Sequence, residues 1–293
     1  MYVNILRYRH GRYLWWALAL VAVCVGLYMS QDVALPRGGS SWQGYVLGSV
    51  AALLVLWLAW MGIRKRSYQA SRGTLQGWVS AHIYLGLALP PVALMHSAFQ
   101  FGLNVHTLTL LLLLGVVLSG VYGLYAYLRL PPAMVENRDN QSFDERLAEL
   151  DRLDKLGLEL AADCDESVQA LVSSAIERSA IGGGLLDQLL ARDRSQVLLP
   201  ADDGVRPLAG NPGQRRVIDF LVAKLPDTSK PGEAERLRAL LAVSSRRGEL
   251  LQRLRRELAL QSRLRIWLAF HVPLTVALLG ALAVHVLTVF FYW

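Results

Sequence analysis

Apolar and polar positions in this chain alternate on the scale of whole helices. Five apolar runs, at about 13–29, 45–63, 78–99, 106–128 and 266–292, are separated by polar stretches. Each is close to or beyond the roughly 18 residues that cross about 30 Å of hydrocarbon as a helix. Trp15, Trp16, Trp42, Trp78, Trp267 and Trp293 sit near the ends of these runs, where amphipathic rings favour the headgroup layer. Between the fourth and fifth runs the period changes. Ser142 followed by Glu145 is a capping-box pattern. It opens a helix to about Ala162 with Leu147, Leu150, Leu153, Leu156 and Leu158 near helical spacing. Residues 165–179 and 213–225 read as further helices. From about Gly232 a long helix runs through Leu237, Leu240, Leu241, Leu250, Leu251, Leu254 and Leu258, and its continuation into the fifth run is open. Residues 180–212, with Gly182, Gly183, Gly184, Pro200, Pro207, Gly210 and Pro212, carry loop punctuation. The pattern predicts an all-α integral membrane helical bundle with five transmembrane helices and a helical cytoplasmic insertion. Its expected parts are 1–128 with spans one to four, 129–264 as the insertion, and 265–293 as the fifth span.

Composition agrees and narrows the class. Hydrophobic residues make up 54% and charged residues 18% of the 293, against roughly 25% charged in soluble domains. The composition argues against an ordinary soluble enzyme and against a disordered chain. Cys24 and Cys164 lie far apart and form no CxxC pair, which excludes a cysteine-ligated iron–sulfur cluster, a c-type haem attachment and a disulfide scaffold. The net charge of +7 points to membrane lipids rather than nucleic acid because of where it lies. With the amino terminus inside, the inside segments 1–12, 64–77 and 129–265 hold 29 of the 30 Lys and Arg residues, and the outside segments hold only Arg37. The short loop with Arg64, Lys65, Arg66 and Arg72 weighs most, since positive charge resists translocation mainly in short loops. The amino terminus is therefore expected in the cytoplasm and the carboxyl terminus in the periplasm, with a bacterial inner membrane as the setting. Arg7, Arg9 and Arg12 before the first run also fit a cleavable signal peptide, but the run is long and no small-x-small site follows it.

The insertion holds 22 basic and 22 acidic residues. Its triple glycine is followed by no Gly-Lys-Ser/Thr and preceded by no strand pattern, so neither a phosphate loop nor a dinucleotide fingerprint is present. It is expected to hold the spans or dock a partner. Arg246, Arg247, Arg253, Arg255 and Arg256 fit either contact with anionic headgroups or a solvated face.

The histidines carry the chemistry. His82 and His96 lie in the third run, His271 and His285 in the fifth, and each pair is fourteen residues apart. Fourteen steps of about 100° fall some 40° short of four turns, so both members share a face, and the rise of about 21 Å separates them across the membrane. His82 and His271 fall at the inside level, His96 and His285 at the outside level. Two such helices side by side present stacked imidazole pairs, a geometry that suits two bis-imidazole haems in a bundle core. Polar packing, a proton relay or another metal site are the alternatives, against the cost of ionisable groups in a span. Zinc is disfavoured because the levels are too far apart to share an ion and neither shows a Cys, Asp or Glu as third ligand. His106 opens the fourth run and can donate to a propionate, line a quinone site or replace His96; without a partner fourteen residues away, a primary ligand role is not expected. His10 is expected among the headgroups. Gly86 and Gly280 leave room for a flat macrocycle or a neighbouring helix, Gly115, Gly120 and Gly123 read as helix packing, and Pro90 and Pro91 are expected to kink the third span. Arg72, Arg263 and Arg265 can pair with propionates at the inner surface.

Paired histidines about fourteen apart on two spans, with one span between, resemble the ferric-reductase-like and related diheme b-type membrane cytochromes. The resemblance covers about 78–128 and 266–292. It implies two b-type haems, one on His82 and His271 toward the inside and one on His96 and His285 toward the outside. Members that act alone often carry a flavin- and nicotinamide-binding domain after the last span; this chain stops at Trp293. The expected activity is that of an electron-transfer subunit of a membrane oxidoreductase complex. Its expected partners are a cytoplasmic flavin or iron–sulfur oxidoreductase subunit, a periplasmic redox protein and a quinone. The competing reading is a non-redox membrane scaffold or sensor whose helical loop recruits partners.

Overall fold

The computed structural model describes residues 5–31, 41–64, 74–139, 141–200, 207–227 and 232–292. The chain divides into two compact units: a bundle unit of residues 1–125 and 267–293, and an insertion unit of residues 126–266.

The bundle unit is built from α1 (Arg12–Met29), α2 (Trp42–Arg64), α3 (Leu75–His96), the first part of α4 (Val105–Arg138) and the last part of α9 (Glu233–Tyr292). Among the described residues, five helices are long and apolar enough to cross a membrane. Their apolar side chains face outward: Val23, Leu118, Phe270 and Phe290 are each 70% exposed or more. A bundle made for water would turn such residues inward; this one presents them to lipid, and the chain is an all-helical membrane bundle.

Small residues let α3 pack closely on α1 and α2. Ser80, Ala81 and Ala88 of α3 are buried, and close backbone approach at small residues is how helices associate without a hydrophobic driving force. Leu47, Ala51 and Val55 of α2, Leu89, Val92 and Met95 of α3, Leu113 of α4 and Leu278 of α9 share the bundle core. The helix continues through Pro90 and Pro91. It stops at His96, short of the predicted Phe99. The Ser97 hydroxyl donates to the Leu94 carbonyl at 2.9 Å, satisfying an acceptor at the helix end. Ala98 and Phe99 then take left-handed φ values of 47° and 59°, which no helix can continue. The segment Ile5–Gly11 lies on α3, with the Tyr84 hydroxyl donating to the Leu6 carbonyl at 2.8 Å.

The insertion unit is mostly helical. It contains α5 (Phe143–Ala162), α6 (Glu166–Glu177), α7 (Leu185–Leu189) and α8 (Arg215–Lys224), with the remaining parts of α4 and α9. Both bonds of the capping box form: Ser142 Oγ accepts from the Glu145 N–H at 3.1 Å, and the Glu145 carboxylate accepts from the Ser142 N–H at 2.7 Å. Where punctuation predicts only loop, two short strands pair antiparallel, β1 (Gln196–Leu198) with β2 (Leu208–Gly210), Val197 opposite Ala209. Val197 is fully buried beside Leu171, Leu221 and Leu240, so core packing holds the ribbon. Helix α4 passes Pro131 and Pro132 because Ala126 and Leu130 are buried against Leu260 on α9, which outweighs the proline penalty.

The arginines of the long helix divide: Arg246 and Arg256 are exposed, as a solvated face requires, whereas Arg247 and Arg255 are buried. Arg247 is 4% exposed and pairs with Asp154. Arg255 is also 4% exposed and donates to the Ala180 carbonyl, Asp193 and the Ser195 hydroxyl, each at 2.8 Å. Arg246 pairs with Glu149 and Arg253 with Asp139. Glu257, fully buried, accepts from Arg146, also fully buried, and from Arg138.

Candidate functional site

The four paired histidines and His106 gather at two levels of the bundle unit. At the first level, α3 supplies His82 and α9 supplies His271, near enough to interact electrostatically. Helix α4 orients His271. The Ser119 hydroxyl lies 2.8 Å from the Val116 carbonyl and 2.6 Å from Nδ1 of His271. When it donates to the carbonyl, its oxygen accepts from Nδ1–H and a lone pair is left on Nε2. Trp267, one turn earlier on α9, donates from Nε1 to the Ser119 carbonyl at 2.8 Å, and its ring centroid lies 5.5 Å from that of His271. Gly123 makes this possible: a Cβ there would sit 2.1 Å from the Trp267 ring. The His82 ring has a backbone hydrogen bond to Leu58, and its Nδ1 is buried with no hydrogen-bond partner among the described residues, a costly state for a polar atom unless something else satisfies it.

At the second level α3 supplies His96, its last residue, and α9 supplies His285. Nδ1–H of His96 donates to the Gly44 carbonyl of α2 at 2.8 Å, which again leaves the Nε2 lone pair available. The ring lies in the hollow over Gly48, where a Cβ would come within 2.6 Å of Cε1. A ring nitrogen held by an outward hydrogen bond, with the other free to donate, is the arrangement of a ligating imidazole. The His96 and His285 ring centroids are 6.1 Å apart. Two imidazoles bound at about 2.0–2.1 Å on opposite sides of one metal place their centroids roughly 6 Å apart.

His106, not expected as a primary ligand, joins this level from the first turn of α4. Its ring centroid is 5.3 Å from that of His96 and 4.9 Å from that of His285. One nitrogen from each of the three rings lies within 4.8 Å of the others. The spacing of fourteen could not find His106, because it is not a spacing within one helix that places it. The short turn between α3 and α4 does: His96 ends one helix and His106 begins the next, so both fall at the same depth.

Gly86 and Gly280 border open space, as residues expected to leave room should: among the described residues nothing beyond the adjoining helix comes within 4 Å of where a Cβ would be. Gly115 packs on Leu274, and Gly120 lies against the His271 ring at an ordinary 3.7 Å. His10 is exposed. Arg263, read as a propionate partner, donates to the Leu189 carbonyl within the insertion unit at 3.2 Å; Arg265 is exposed, and Arg72 lies outside the described residues. Gly44, Gly48 and Ser119 were not singled out by sequence. Gly44 and Gly48 do carry a signal, two small residues four apart on one helix face.

The donor set fits an iron porphyrin at the first level: two imidazoles, one oriented by Ser119, and an orphaned nitrogen on the other. The second level offers the same pair plus a third imidazole. The chain matches no protein-family model, no curated protein and no solved structure to which it was compared.

Proposed function

We propose that this chain is a diheme b-type cytochrome membrane subunit that carries electrons across the membrane, between a cytoplasmic-side donor and a periplasmic-side acceptor or the quinone pool. His82 and His271 would hold one haem toward the inside, and His96 and His285 the other toward the outside. Haem, when bound, supplies reversible one-electron chemistry. The chain's own residues do the rest. The Gly44 carbonyl fixes the tautomer of His96, and the Ser119 hydroxyl holds Nδ1 of His271, which leaves Nε2 of each ring as the nitrogen to face a metal. The observation that carries the reading is the recurrence of one device at two depths: a histidine of α3 and a histidine of α9, with one ring of each pair anchored through Nδ1.

The positive-inside distribution supports a cytoplasmic amino terminus and a periplasmic carboxyl terminus in a bacterial inner membrane. The donor would be a flavin or iron–sulfur protein on the cytoplasmic side, the acceptor a periplasmic redox protein.

Proteoliposomes with trapped ferricyanide and external dithionite test the function. Haem-loaded protein should reduce the trapped ferricyanide, and His271→Ala or His285→Ala should abolish that reduction. Haem-loaded protein that leaves ferricyanide oxidised would contradict transmembrane electron transfer and favour a scaffold or sensor.

A further inference from the structure

The third imidazole changes what the second level can hold. His96, His106 and His285 come from three helices, yet two of them flank one turn. That turn is pinned from within: the Thr107 hydroxyl accepts from the Gly102 N–H at 3.0 Å, and the Asn104 carboxamide oxygen accepts from the Thr107 N–H at 2.9 Å. His96 is pinned from α2 by Gly44 and seated over Gly48. Centroid separations of 5.3, 4.9 and 6.1 Å match those of imidazoles sharing one ion, which run from roughly 5 Å for neighbouring positions to roughly 6 Å for opposed ones at metal–nitrogen distances of 2.0–2.1 Å. The nitrogens need only draw together from within 4.8 Å.

The same geometry conflicts with a haem. If His96 and His285 bound an iron from opposite faces through the nitrogens that lie within 4.8 Å of His106, the His106 nitrogen would lie at most about 4.3 Å from the metal, between the two ligands. That position is inside the footprint of the macrocycle. His106 must swing away before a porphyrin can enter.

We propose that His96, His106 and His285 form a three-imidazole site for one transition-metal ion, and that this ion and a haem at the same level exclude each other. The inference rests on the histidines that the outer haem of the proposed function uses, and adds a second occupant that competes for them. All-imidazole donation selects zinc, copper, nickel or iron over magnesium and calcium, which require oxygen ligands. Three protein ligands leave a fourth position open, as in zinc sites that bind water or a further ligand. A metal ion here would keep the outer haem from loading.

Cobalt(II) is the probe, since its visible bands report coordination by nitrogen. Full-length protein made under haem limitation and treated with chelator should take up cobalt at one site. Loss of one ligand in His106→Ala or His106→Gln should weaken binding by more than the roughly 10–100-fold typical of outer-shell changes. His82→Ala and His271→Ala should leave cobalt binding unchanged, and added haem should displace the cobalt bands in the wild type. The His106 variants should still take up haem at both levels, which also verifies that they are folded. Cobalt binding that survives in both His106 variants, or cobalt and haem bound together at this level, would overturn the proposal. So would a haem-limited protein that binds no cobalt. A protein that binds cobalt at this site but never haem would sink the cytochrome reading and leave the metal site standing.

Discussion

The bundle unit and the insertion unit use opposite rules for what they bury. In the bundle unit, large apolar side chains such as Phe270 and Phe290 face outward. The inward polar atoms at its two levels belong to histidines and to the groups that orient them, Ser119 and the Gly44 carbonyl. In the insertion unit the leucines turn inward, and with them go charged groups: Arg146 and Glu257 are fully buried, Arg247 and Arg255 nearly so. The solvent explains the difference. Hydrocarbon makes apolar surface free to expose and polar surface costly, so a polar side chain kept inside a span has a task. Water makes apolar burial the driving force, and an ion pair caught in the core becomes part of the structure, provided both charges are present. A histidine held inside a span therefore signals chemistry in the one unit, and a buried arginine signals architecture in the other.

The largest expected effect sharpens the second half of that contrast. Glu257→Ala strands the buried Arg146 guanidinium, and breaking one partner of a buried pair costs about 3–5 kcal/mol. Amide exchange in α5 and α9 near residue 257 should accelerate strongly. All eight tryptophans lie in the bundle unit, so their fluorescence should stay unchanged while the insertion loosens. Unaltered exchange protection would show that the pair is not structural.

A second effect belongs to the bundle. Gly123→Ala puts a Cβ into the Trp267 ring, and overpacking of that kind costs typically about 1–3 kcal/mol. It should lower the thermal midpoint and shift tryptophan emission. Gly120→Ala, whose Cβ would meet His271 at an ordinary 3.7 Å, should do neither. Equal behaviour of the two variants would contradict the packing that positions His271.

The smallest effect is acid dependence of the insertion. The hydrogen bond from Arg246 holds the Glu149 carboxyl below its usual range. A carboxylate lowered in the folded state adds stability above its unfolded value near 4.3, and that contribution disappears as pH falls through the folded value. The pair is partly exposed, so its worth is below about 1 kcal/mol. Glu149→Gln should lower stability at neutral pH and flatten the acid limb of a denaturation series, and the difference from the wild type should vanish once the carboxyl is protonated in the folded state. An acid limb as steep as that of the wild type would remove this pair from the account.

Much of the fold was legible because its signals are local. Apolar runs mark spans, and the Ser142 and Glu145 pattern marks the start of α5. The four paired histidines were legible for the same reason, since fourteen residues fix a shared helix face. His106 was legible at the start of the fourth run and as a replacement for His96, but not as a third imidazole beside both His96 and His285, because that depends on where α3 ends and α4 begins. Ala98 and Phe99 set that end through left-handed backbone, a choice that hydropathy does not record. The roles of Arg247 and Arg255 were hidden too: their partners Asp154 and Asp193 lie 93 and 62 residues away, and no periodicity along one helix reveals a partner on another segment. The β1–β2 ribbon is short, and it is held by core contacts of Val197 more than by strand propensity.

The proposed function requires that the two levels of histidines hold haem. A pyridine haemochrome assay with a reduced-minus-oxidised spectrum on purified, haem-supplied protein tests it most directly. About two b-type haems per chain are expected, falling to about one in His271→Ala, since loss of an axial ligand releases or converts that haem. Folded protein that carries no haem, or a His271→Ala variant that carries as much as the wild type, would contradict it.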